Sequence, residues 1–578
     1  LRAARTLALD MNFLMTVAIV GAVILGEYLE ASAIAFLFSV AELLETYAVD
    51  RARASIEALM DLSPERATVV RDGDEVTVAA SEVRTGDRML VRPGERMAAD
   101  GRVVEGRSAV NQAPITGESM PVEKAPGDEV YAGTIAEDGF LAVTVEKAAE
   151  ETTLAHIIHL VEEAETHRAP SERFVDRFAR WYTPAVTAGA VLVAAGPPLL
   201  AGGDPATWVL RGLTLLVIAC PCALVISTPV AVVSGITAAA RNGVLIKGGN
   251  HLEKLGEIRV VALDKTGTLT YGHPEVSDVE IAGEEGDPDR LLATAAALES
   301  RSEHPLGRAV VRGARHRGLL SKAADVADFE ALAGRGVRGR VDGSEVVVGR
   351  EELFGRVRDR LSARADALRA EGKTVVFVGG TGPDGSGDAV AAGLVAVGDR
   401  ARERARRTVE GLRKAGIERI VMLTGDHEGT ARALADRLGL DEVHAGLLPD
   451  EKVDLVRAME ERWGAVAMVG DGVNDAPALA VASVGIVMGA AGSDAALETA
   501  DVALMGDEIG KLPYVFRLSR TGRSVIRQNI GASVLIKAAL AAGVPLGMVS
   551  LILAVVVGDM GASLGVTGNA LRLARVRP

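Results

Sequence analysis

The sequence predicts a bundle of membrane-spanning helices joined to two soluble segments, one rich in strands and one that alternates strands and helices. Uncharged apolar runs occupy residues 13–26, 31–41, 183–203 and 212–240, and residues 530–571 contain only two charges. A membrane-spanning helix needs ~20 mostly apolar residues. We therefore interpret these runs as six spans, the last run being two helices that turn near residues 545–547. Buried helices of a soluble core are the alternative, but the longest runs exceed an ordinary core helix.

Composition and charge support the same division. With 578 residues the chain is too long for one core, so several domains are expected. Lys and Arg flank the apolar runs on one side, and the positive-inside rule then places both soluble segments and both termini in the cytoplasm. The net charge of −15 belongs to those soluble segments. It argues against a nucleic acid as partner.

The first soluble segment, about residues 61–165, contains short alternating runs typical of a small β-rich domain. Within it, Pro114 and Pro121 flank the stretch Thr116–Ser119, which is expected to be a stiff, exposed loop. Glu118 in this loop could activate water against an acyl-phosphate in a remote site. Taken alone, the four residues are more typical of a plain turn.

In the second soluble segment, several polar residues follow apolar runs that are expected to be strands. Asp264 follows Val260–Leu263, and Thr424 and Asp471 each follow a similar run. Open α/β sheets bind ligands at the carboxyl ends of their strands, so Asp264 is placed where a carboxylate could attack a phosphoryl group. Lys452 could neutralise phosphoryl charge, and the acid cluster around Asp471 suits Mg²⁺. Each piece alone is also compatible with a solvated turn.

A second compact unit is inserted between Thr270 and about residue 399. His304 precedes a helical run, and Glu299 lies five residues before it. Gly334 and Gly336 provide backbone that a flat ring can approach closely. A helix start and a glycine turn are the commoner explanations of these patterns.

The only two cysteines, Cys220 and Cys222, lie on either side of Pro221 inside the fourth span. Residues two apart point to nearly opposite sides of an ideal helix, but proline opens the helix and lets both sulfurs turn inward. Two free thiols are expected, because a disulfide between such close neighbours would be strained and the cytoplasmic side is reducing. An inert pair of small apolar residues is the other alternative.

The two charges of the last apolar run, Lys537 and Asp559, are intramembrane ionisable residues and are expected to be functional. Asp559 adds a hard oxygen to two soft sulfurs, a set that suits Zn²⁺ better than Cu⁺. The charges sum to zero for one divalent metal ion, two thiolates, the Asp559 carboxylate and the Lys537 ammonium. Lys537 is therefore predicted to act as a counter-ion that pairs with Asp559 after the metal ion is released. A permanent bridge that only fastens two helices is the alternative.

Together these stretches resemble known motifs. Residues 264–270 (DKTGTLT) resemble the phosphorylation motif of the P-type ATPases, and residues 116–119 (TGES) resemble their actuator motif. The pair around Pro221, with Lys537 and Asp559, resembles the zinc/cadmium/lead subgroup, whereas the copper subgroup has different residues in the last two spans. The resemblance extends from about Leu9 to Arg575. That family usually has two further helices, and often a metal-binding domain, before this point.

The resemblance implies a helical transmembrane bundle with a β-rich actuator domain, a haloacid-dehalogenase-like phosphorylation domain and an inserted α/β nucleotide-binding domain. The implied boundaries are transmembrane helices 1–2 at 1–60, actuator at 61–168, transmembrane helices 3–4 at 169–250, phosphorylation domain at 251–272 and 396–515, nucleotide-binding domain at 273–395, and transmembrane helices 5–6 at 516–578.

The resemblance further implies ATP-driven export of Zn²⁺, Cd²⁺ and Pb²⁺ through an aspartyl-phosphate, with a Cu⁺ exporter as the alternative. A soluble phosphatase would need no membrane spans, and a passive channel would need no phosphorylation site. The implied cofactors are ATP and Mg²⁺. A monomer in the lipid of the plasma (inner) membrane is expected.

The resemblance assigns roles to individual residues. The implied roles are catalysis by Asp264, Glu118, Thr266, Thr424 and Lys452; adenine binding by Glu299, His304, Gly334 and Gly336; Mg²⁺ binding by Asp264, Thr266 and Asp471; and metal binding by Cys220, Cys222 and Asp559 with Lys537 as counter-ion. Many phosphatases of this fold have a second Asp where Thr266 stands, so a long-lived phosphoenzyme is expected. Glu30, Glu42 and Glu45 near the second span are candidates for an exit path.

Overall fold

The computed structural model describes most of the chain. The described residues are 11–60, 64–71, 73–116, 121–148, 151–155, 169–283, 286–302, 304–320, 324–332, 335–381, 389–426, 428–472, 475–489 and 494–578. The chain forms two compact units, the first made of Leu1–Ile258 and Gly489–Pro578, the second of Arg259–Met488.

The first unit contains the apolar helices. Four helices among the described residues are long and apolar enough to cross a membrane, namely Pro170–Leu200, Pro205–Arg241, Ile509–Gly543 and Leu551–Arg575. They correspond to predicted spans three to six. The first predicted span is a 14-residue helix, Met11–Ile24, and the second lies in a 33-residue helix, Tyr28–Met60, which contains acidic residues. Both are helical as predicted, but neither is among the four helices found within the described residues, and their crossing of a membrane stays a prediction.

Prolines and glycines interrupt the apolar helices at two places that matter for function. The span Pro205–Arg241 consists of two helices, Pro205–Ile218 and Cys222–Arg241, because Pro221 has non-helical angles (φ −82°, ψ 26°). The helix Leu512–Gly543 ends before Gly547, whose φ is +73°, and the next helix begins at Leu551. That last helix consists of Leu551–Val555, a π-helical turn Val556–Gly561 and Ala562–Ala570. The predicted opening at Pro221 and the predicted turn near 545–547 are confirmed.

The first unit also contains the predicted β-rich domain, whose strands pair antiparallel. The larger sheet has the order Asp74–Ala79, Arg66–Arg71, Arg88–Val91, Leu141–Lys147, Asp100–Gly106 and Glu129–Val130; the smaller has the order Val122–Lys124, Ser108–Asn111 and Ile135–Ala136. Alternate residues of these strands form a buried core rich in Val, Ala and Met. Near the membrane helices, Val244–Ile246 pairs antiparallel with Val502–Leu504, and short helices cover Gly249–Leu255 and Asp494–Thr499.

The second unit contains a parallel sheet and an antiparallel sheet. The parallel strands pair in the order Val484–Val487, Val466–Gly470, Val260–Asp264, Arg419–Leu423 and Glu442–His444. Helices of this part are Ala405–Lys414, Glu428–Leu438, Pro449–Trp463 and Ala476–Val481. Because the central strands are buried on both faces, they read as continuous apolar runs.

The antiparallel sheet of the second unit is the inserted unit expected from the sequence. Its strands have the order Thr270–Ile281, Ala389–Ala401, Thr374–Thr381, Ser344–Gly349, Gly336–Val341 and Val326–Leu332. Helices Pro288–Glu299, Pro305–His316 and Asp359–Ala370 accompany it. Two chain passages, at Thr270 and near residue 401, join this sheet to the parallel one.

Candidate active site and metal-binding site

Asp264 lies at the carboxyl edge of the parallel sheet, as predicted. Its strand, Val260–Asp264, is buried throughout and lies between Arg419–Leu423 and Val466–Gly470 in parallel register. Thr424 and Asp471 directly follow these two neighbours. Three polar side chains therefore come from three adjacent strand ends, the place where open α/β sheets hold ligands.

Lys452 joins two buried carboxylates at this edge. Its Nζ lies 2.6 Å from Asp264 Oδ1 and 2.6 Å from Asp475 Oδ1. Burial raises the pKa of Asp264 to about 6, the neighbouring Asp475 adds to the rise, and Lys452 opposes it. Burial alone would lower the pKa of Lys452, but on balance the two carboxylates raise it. The lysine therefore stays charged beside Asp264.

Asp475 is the residue of this cluster that the sequence left without a role. It belongs to the same acidic stretch as Asp471, but only Asp471 was assigned. Asp475 is almost fully buried, burial raises its pKa, and its Oδ2 atom has no hydrogen-bond partner within the described part of the chain. The sequence signal that could have identified Asp475 is its position as the second aspartate of the stretch that begins with Asp471.

The loop after Asp264 turns sharply. Thr266 is exposed, and Gly267 has φ +73°, which favours glycine. A Cβ added at Gly267 would lie 3.2 Å from Asp471 Cβ. The glycine thus allows Asp471 to approach the loop that carries Thr266, another of the three assigned Mg²⁺ ligands.

Thr424 and Lys265 form the other side of the site. Thr424 is buried, and its Oγ1 accepts a hydrogen bond from the Asp426 backbone N–H over 3.1 Å. Lys265 is also buried and forms an ion pair with Asp426 at 2.5 Å. The lysine directly after Asp264 is therefore held by the strand-end loop that contains Thr424, a contact the sequence did not predict.

Asp399 and Arg402 hold the two passages between the sheets together, and the sequence did not single them out. Asp399 accepts hydrogen bonds from Thr270 Oγ1 (2.6 Å) and from the Gly272 backbone N–H (3.0 Å). Arg402 donates to the carbonyl oxygens of Thr270 (3.1 Å) and Gly267 (2.7 Å). Charge-assisted bonds of this kind fix the loop after Asp264 relative to the strand that returns from the inserted unit.

The residues assigned to adenine binding lie in the inserted unit. Glu299 ends its helix in a buried position, burial raises its pKa although Ser302 opposes the rise, and its Oε2 has no partner among the described residues. A Cβ at Gly307 would lie 2.3 Å from that oxygen. Gly307 belongs to the first turn of the helix that His304 caps, so Glu299 faces the start of that helix.

His304 and Gly336 have different local reasons for their positions. His304 is exposed, and its Nδ1 accepts a hydrogen bond from the Leu306 N–H over 3.3 Å, which confirms the helix-start alternative as one of its roles. A Cβ at Gly336 would lie 2.2 Å from the Val348 carbonyl oxygen, so a side chain cannot fit there. Gly334 lies outside the described residues.

Glu118 also lies outside the described residues, which end at Thr116 and resume at Pro121. The short helix Ala113–Thr116 leads to this stretch. The role of Glu118 stays a prediction.

In the membrane bundle, Cys220, Cys222 and Asp559 come together. Their ligand atoms all lie within 4.8 Å of one another, and all three residues are buried. The break at Pro221 turns both cysteines to the same side, and the π-helical turn at Val556–Gly561 turns Asp559 toward them.

The expectation of two free thiols is wrong for this structure, which joins Cys220 to Cys222 as a disulfide. Because the proline unwinds the backbone, the two Cα atoms are 5.5 Å apart, within the usual range for a disulfide.

Lys537 does not pair with Asp559 in this structure. Its Nζ donates hydrogen bonds to the carbonyl oxygens of Cys220 and of Ile218, the latter at 3.3 Å. Asp559 Oδ1 is buried and has no partner within the described residues. The predicted Lys537–Asp559 pair is therefore absent here, because the broken helix offers unpaired carbonyl oxygens that the ammonium can reach.

The three exit-path candidates lie on one long helix. Glu30 is half-buried with an unpartnered Oε2 in the described part of the chain, whereas Glu42 is exposed. The side chain of Glu45 is outside what is described. Their role stays a prediction.

These arrangements fit Mg²⁺ and a nucleotide. Asp475 Oδ2 is an orphaned buried oxygen beside Asp264, and oxygen ligands are what Mg²⁺ requires. In the inserted unit, Glu299 Oε2 is a second orphaned oxygen among the described residues, and the backbone of Val348 leaves no room for a side chain at Gly336. The orphaned oxygen beside Asp264 therefore suits Mg²⁺, and the orphaned oxygen of Glu299 suits a polar group of a nucleotide.

Comparison with known proteins supports the same interpretation. Residues 258–483 match the family model of haloacid dehalogenase-like hydrolases, and residues 61–162 match that of the P-type ATPase actuator domain. A cadmium-transporting ATPase of Staphylococcus aureus is 46% identical over 574 residues, which are 98% of this chain and 78% of that protein. A zinc/cadmium/lead-transporting P-type ATPase of Escherichia coli (strain K12) is 42% identical, with 98% of this chain and 75% of that protein covered.

A solved structure is similar along almost the whole chain. The crystal structure of a zinc-transporting PIB-type ATPase in the E2.Pi state matches with a TM-score of 0.66 and 41% identity, and it covers 99% of this chain and 92% of that chain.

Proposed function

Because this chain belongs to the zinc/cadmium/lead-transporting P-type ATPases, we propose that Asp264 is the residue through which it couples ATP hydrolysis to the export of a divalent metal ion. It is an integral membrane protein that uses ATP and Mg²⁺, as its family does, and it exports metal other than copper. The observation that supports the proposal best is Lys452 held between Asp264 and Asp475 at the sheet edge.

Phosphorylation begins with the carboxylate of Asp264. One of its oxygens forms a bond to the γ-phosphorus while the bond from that phosphorus to the β,γ-bridging oxygen breaks, and ADP leaves with the electron pair. Lys452 stabilises negative charge on the transferred group, and Thr424 presents a hydroxyl at the next strand end. Mg²⁺, held by Asp264, Thr266 and Asp471, would neutralise further phosphoryl charge.

Binding of ATP falls to the inserted unit. Glu299 and His304 border the start of one helix, and the family resemblance assigns Gly334 and Gly336 to the backbone beside the adenine ring. Asp399 and Arg402 contribute indirectly, because they hold the loop after Asp264 on the same passages that join the nucleotide-binding sheet.

Hydrolysis of the aspartyl-phosphate is assigned to Glu118. Thr266 stands where many phosphatases of this fold have a second Asp as general acid, so activation of water is assigned to a residue of another domain, and the intermediate persists until then. That delay allows phosphorylation to be coupled to transport.

The variant Glu118→Gln tests this step. We expect it to form the phosphoenzyme from ATP but to hydrolyse it about 10²- to 10⁴-fold more slowly, because the amide cannot accept a proton from water. Decay of labelled phosphoenzyme after a chase with unlabelled ATP measures the rate. Decay at the wild-type rate would remove Glu118 from this role. Glu123→Gln, nearby in strand Val122–Lys124 and exposed, is the matched control.

The transported ion binds at Cys220, Cys222 and Asp559 when the cysteines are reduced to thiols and lose their protons, since the thiolate is the ligand form. Two sulfurs and one carboxylate suit Zn²⁺, Cd²⁺ and Pb²⁺ better than Cu⁺. When the metal ion is bound and Lys537 is counted, the site has no net charge. A neutral site is favoured inside a membrane, where net charge is costly. Because Lys537 lies beside the Cys220 carbonyl, its ammonium supplies the positive counter-charge at the metal site. The protein then needs no second transported cation to supply that charge.

The variant Lys537→Gln separates the charge of this residue from its hydrogen bonds, because the amide still donates to the carbonyls of Ile218 and Cys220. The counter-ion role predicts that metal still binds but that turnover slows about tenfold or gains a dependence on protons or other cations. Turnover with liposomes across pH and salt composition is the measurement. Unchanged turnover and transported charge, with a lower melting temperature for Lys537→Ala, would leave only a fastening role.

Placement in the cell completes the proposal. The Lys and Arg residues next to the spans favour cytoplasmic soluble domains. A plasma (inner) membrane location and a lipid-embedded monomer are proposed from the family resemblance. The exit path is assigned to the glutamates of the second apolar helix, Glu30, Glu42 and Glu45.

ATP hydrolysis by the reduced protein across a panel of metals tests the function as a whole. Zn²⁺, Cd²⁺ and Pb²⁺ should each stimulate hydrolysis well above the metal-free rate, whereas Cu⁺ and Ca²⁺ should not. Stimulation by Cu⁺ alone would overturn the assignment.

A further inference from the structure

A cavity rich in arginine opens beside the helix Leu512–Gly543, just before that helix becomes apolar. Its volume is about 390 Å³. The lining residues are Gly256, Arg520, Arg523, Ser524, Arg527 and Gln528. Nothing in the proposed transport cycle uses this cavity, because the phosphorylation site and the metal site lie elsewhere.

The arginines differ in how far their charge is already satisfied. Arg523 forms an ion pair with Glu257 at 2.6 Å, and Arg520 donates to the Ile258 carbonyl oxygen over 2.8 Å. Arg527 is exposed and has no hydrogen bond or ion pair within the residues that the structure describes. Glu253 also lies near Arg523. The lining itself contains three guanidinium groups and no carboxylate, so it offers positive charge that suits an anion with several oxygens.

The position along the helix places this charge at the membrane surface. The apolar part begins at Ile530, three residues after Arg527. Lys537, at the metal site, is ten residues after Arg527, which is ~15 Å at 1.5 Å per residue and equals half of a ~30 Å hydrocarbon core. If the metal site is near the bilayer centre, Arg527 is at the level of the lipid phosphates.

The cavity also faces the same side as the lipid-exposed surface of this helix. Arg520, Arg527 and Val534 are each seven residues apart, so they lie on nearly one line along the helix. Val534 is 44% exposed and Leu535 is 72% exposed. A molecule with its phosphate in the cavity could therefore lay its acyl chains along these two apolar side chains.

We propose that this cavity binds the phosphate headgroup of an anionic phospholipid. The guanidinium groups of Arg520, Arg523 and Arg527 hold the phosphate oxygens, and Ser524 and Gln528 add hydrogen-bonding groups. A dissolved phosphate would gain the same polar contacts but would not use the apolar face that continues from the cavity. A zwitterionic lipid would bring a cation next to the arginines and is therefore disfavoured.

Equilibrium binding of fluorescent phosphatidylglycerol to the purified full chain in detergent tests the proposal, with phosphatidylcholine as the comparison lipid. Wild type should bind phosphatidylglycerol about tenfold more tightly than phosphatidylcholine. Arg527→Gln should weaken phosphatidylglycerol binding about five- to tenfold. The matched control is Arg517→Gln, an exposed arginine of the same helix outside the cavity, which should change the binding less than twofold.

Three outcomes would overturn the proposal: unchanged binding in Arg527→Gln, an equal loss in Arg517→Gln, or displacement of the lipid by inorganic phosphate with no preference for phosphatidylglycerol. Ser524→Asp gives a second variant at an exposed position, and its carboxylate should abolish the preference for the anionic lipid. Melting temperatures confirm that the variants are folded. Because lipid binding is measured without metal or ATP, its failure is distinguishable from failure of the transport assignment.

Discussion

Replacing Asp264 by Asn should abolish formation of an acid-stable phosphoenzyme. An amide is a poor nucleophile, so we expect the rate of labelling to fall by on the order of 10⁴-fold or more, below detection. The fold should survive, because Asn has nearly the same volume and Lys452 keeps its 2.6 Å contact with Asp475. Labelling with γ-labelled ATP, followed by acid quench and gel separation, measures the effect.

The control for this variant removes an acid from the same unit without touching the site. Asp454→Asn changes an exposed residue on the helix that contains Lys452 and should be labelled like wild type. Sensitivity of the wild-type label to hydroxylamine tests whether the bond is an acyl-phosphate. Metal-dependent labelling that persists in Asp264→Asn would contradict the assignment of the nucleophile.

Replacing Cys222 or Cys220 by Ser should strongly weaken metal-stimulated phosphorylation by ATP while leaving phosphorylation by inorganic phosphate in place. A hydroxyl stays protonated at neutral pH and is a harder ligand than a thiolate, so a site of two soft sulfurs loses its affinity for Cd²⁺. The parallel sheet that contains Asp264 is unchanged, so the reverse reaction should persist. We expect the metal concentration for half-maximal stimulation to rise by about 10²-fold or more.

Val225→Ser supplies the matched control, because it introduces the same residue on the same helix at a position that is 46% exposed. It should respond to metal like wild type. Normal metal stimulation in both cysteine variants would refute the metal site. Loss of phosphorylation by inorganic phosphate as well would point to misfolding, and melting temperatures would show it.

The sequence predicted the polar edge of the parallel sheet because each of its residues follows an apolar run. Asp264, Thr424 and Asp471 needed only two rules: a buried strand reads as an apolar run, and strand ends meet at one edge. The break at Pro221 was equally local, since proline removes a backbone hydrogen bond wherever it occurs in a helix. These features depend on neighbours in sequence, and so the chain itself determined them.

Residues that act at a distance could not be assigned in the same way. Lys452 is 188 residues from Asp264, and Arg402 is 135 residues from Gly267. The sequence indicated that Lys452 could neutralise phosphoryl charge, but not which carboxylates it contacts, and it did not single out Arg402. Their burial beside a carboxylate or a carbonyl oxygen is set by how the strands and helices pack.

The membrane site shows the same limit. Sequence alone selected Cys220, Cys222, Lys537 and Asp559, because charged and sulfur-containing residues are conspicuous in apolar runs. It determined the composition of the site. Only the tertiary structure decided which of these groups contact one another. The unwound backbone at Pro221 exposes carbonyl oxygens that compete with Asp559 for the Lys537 ammonium. The same unwinding brings the two sulfurs into a disulfide.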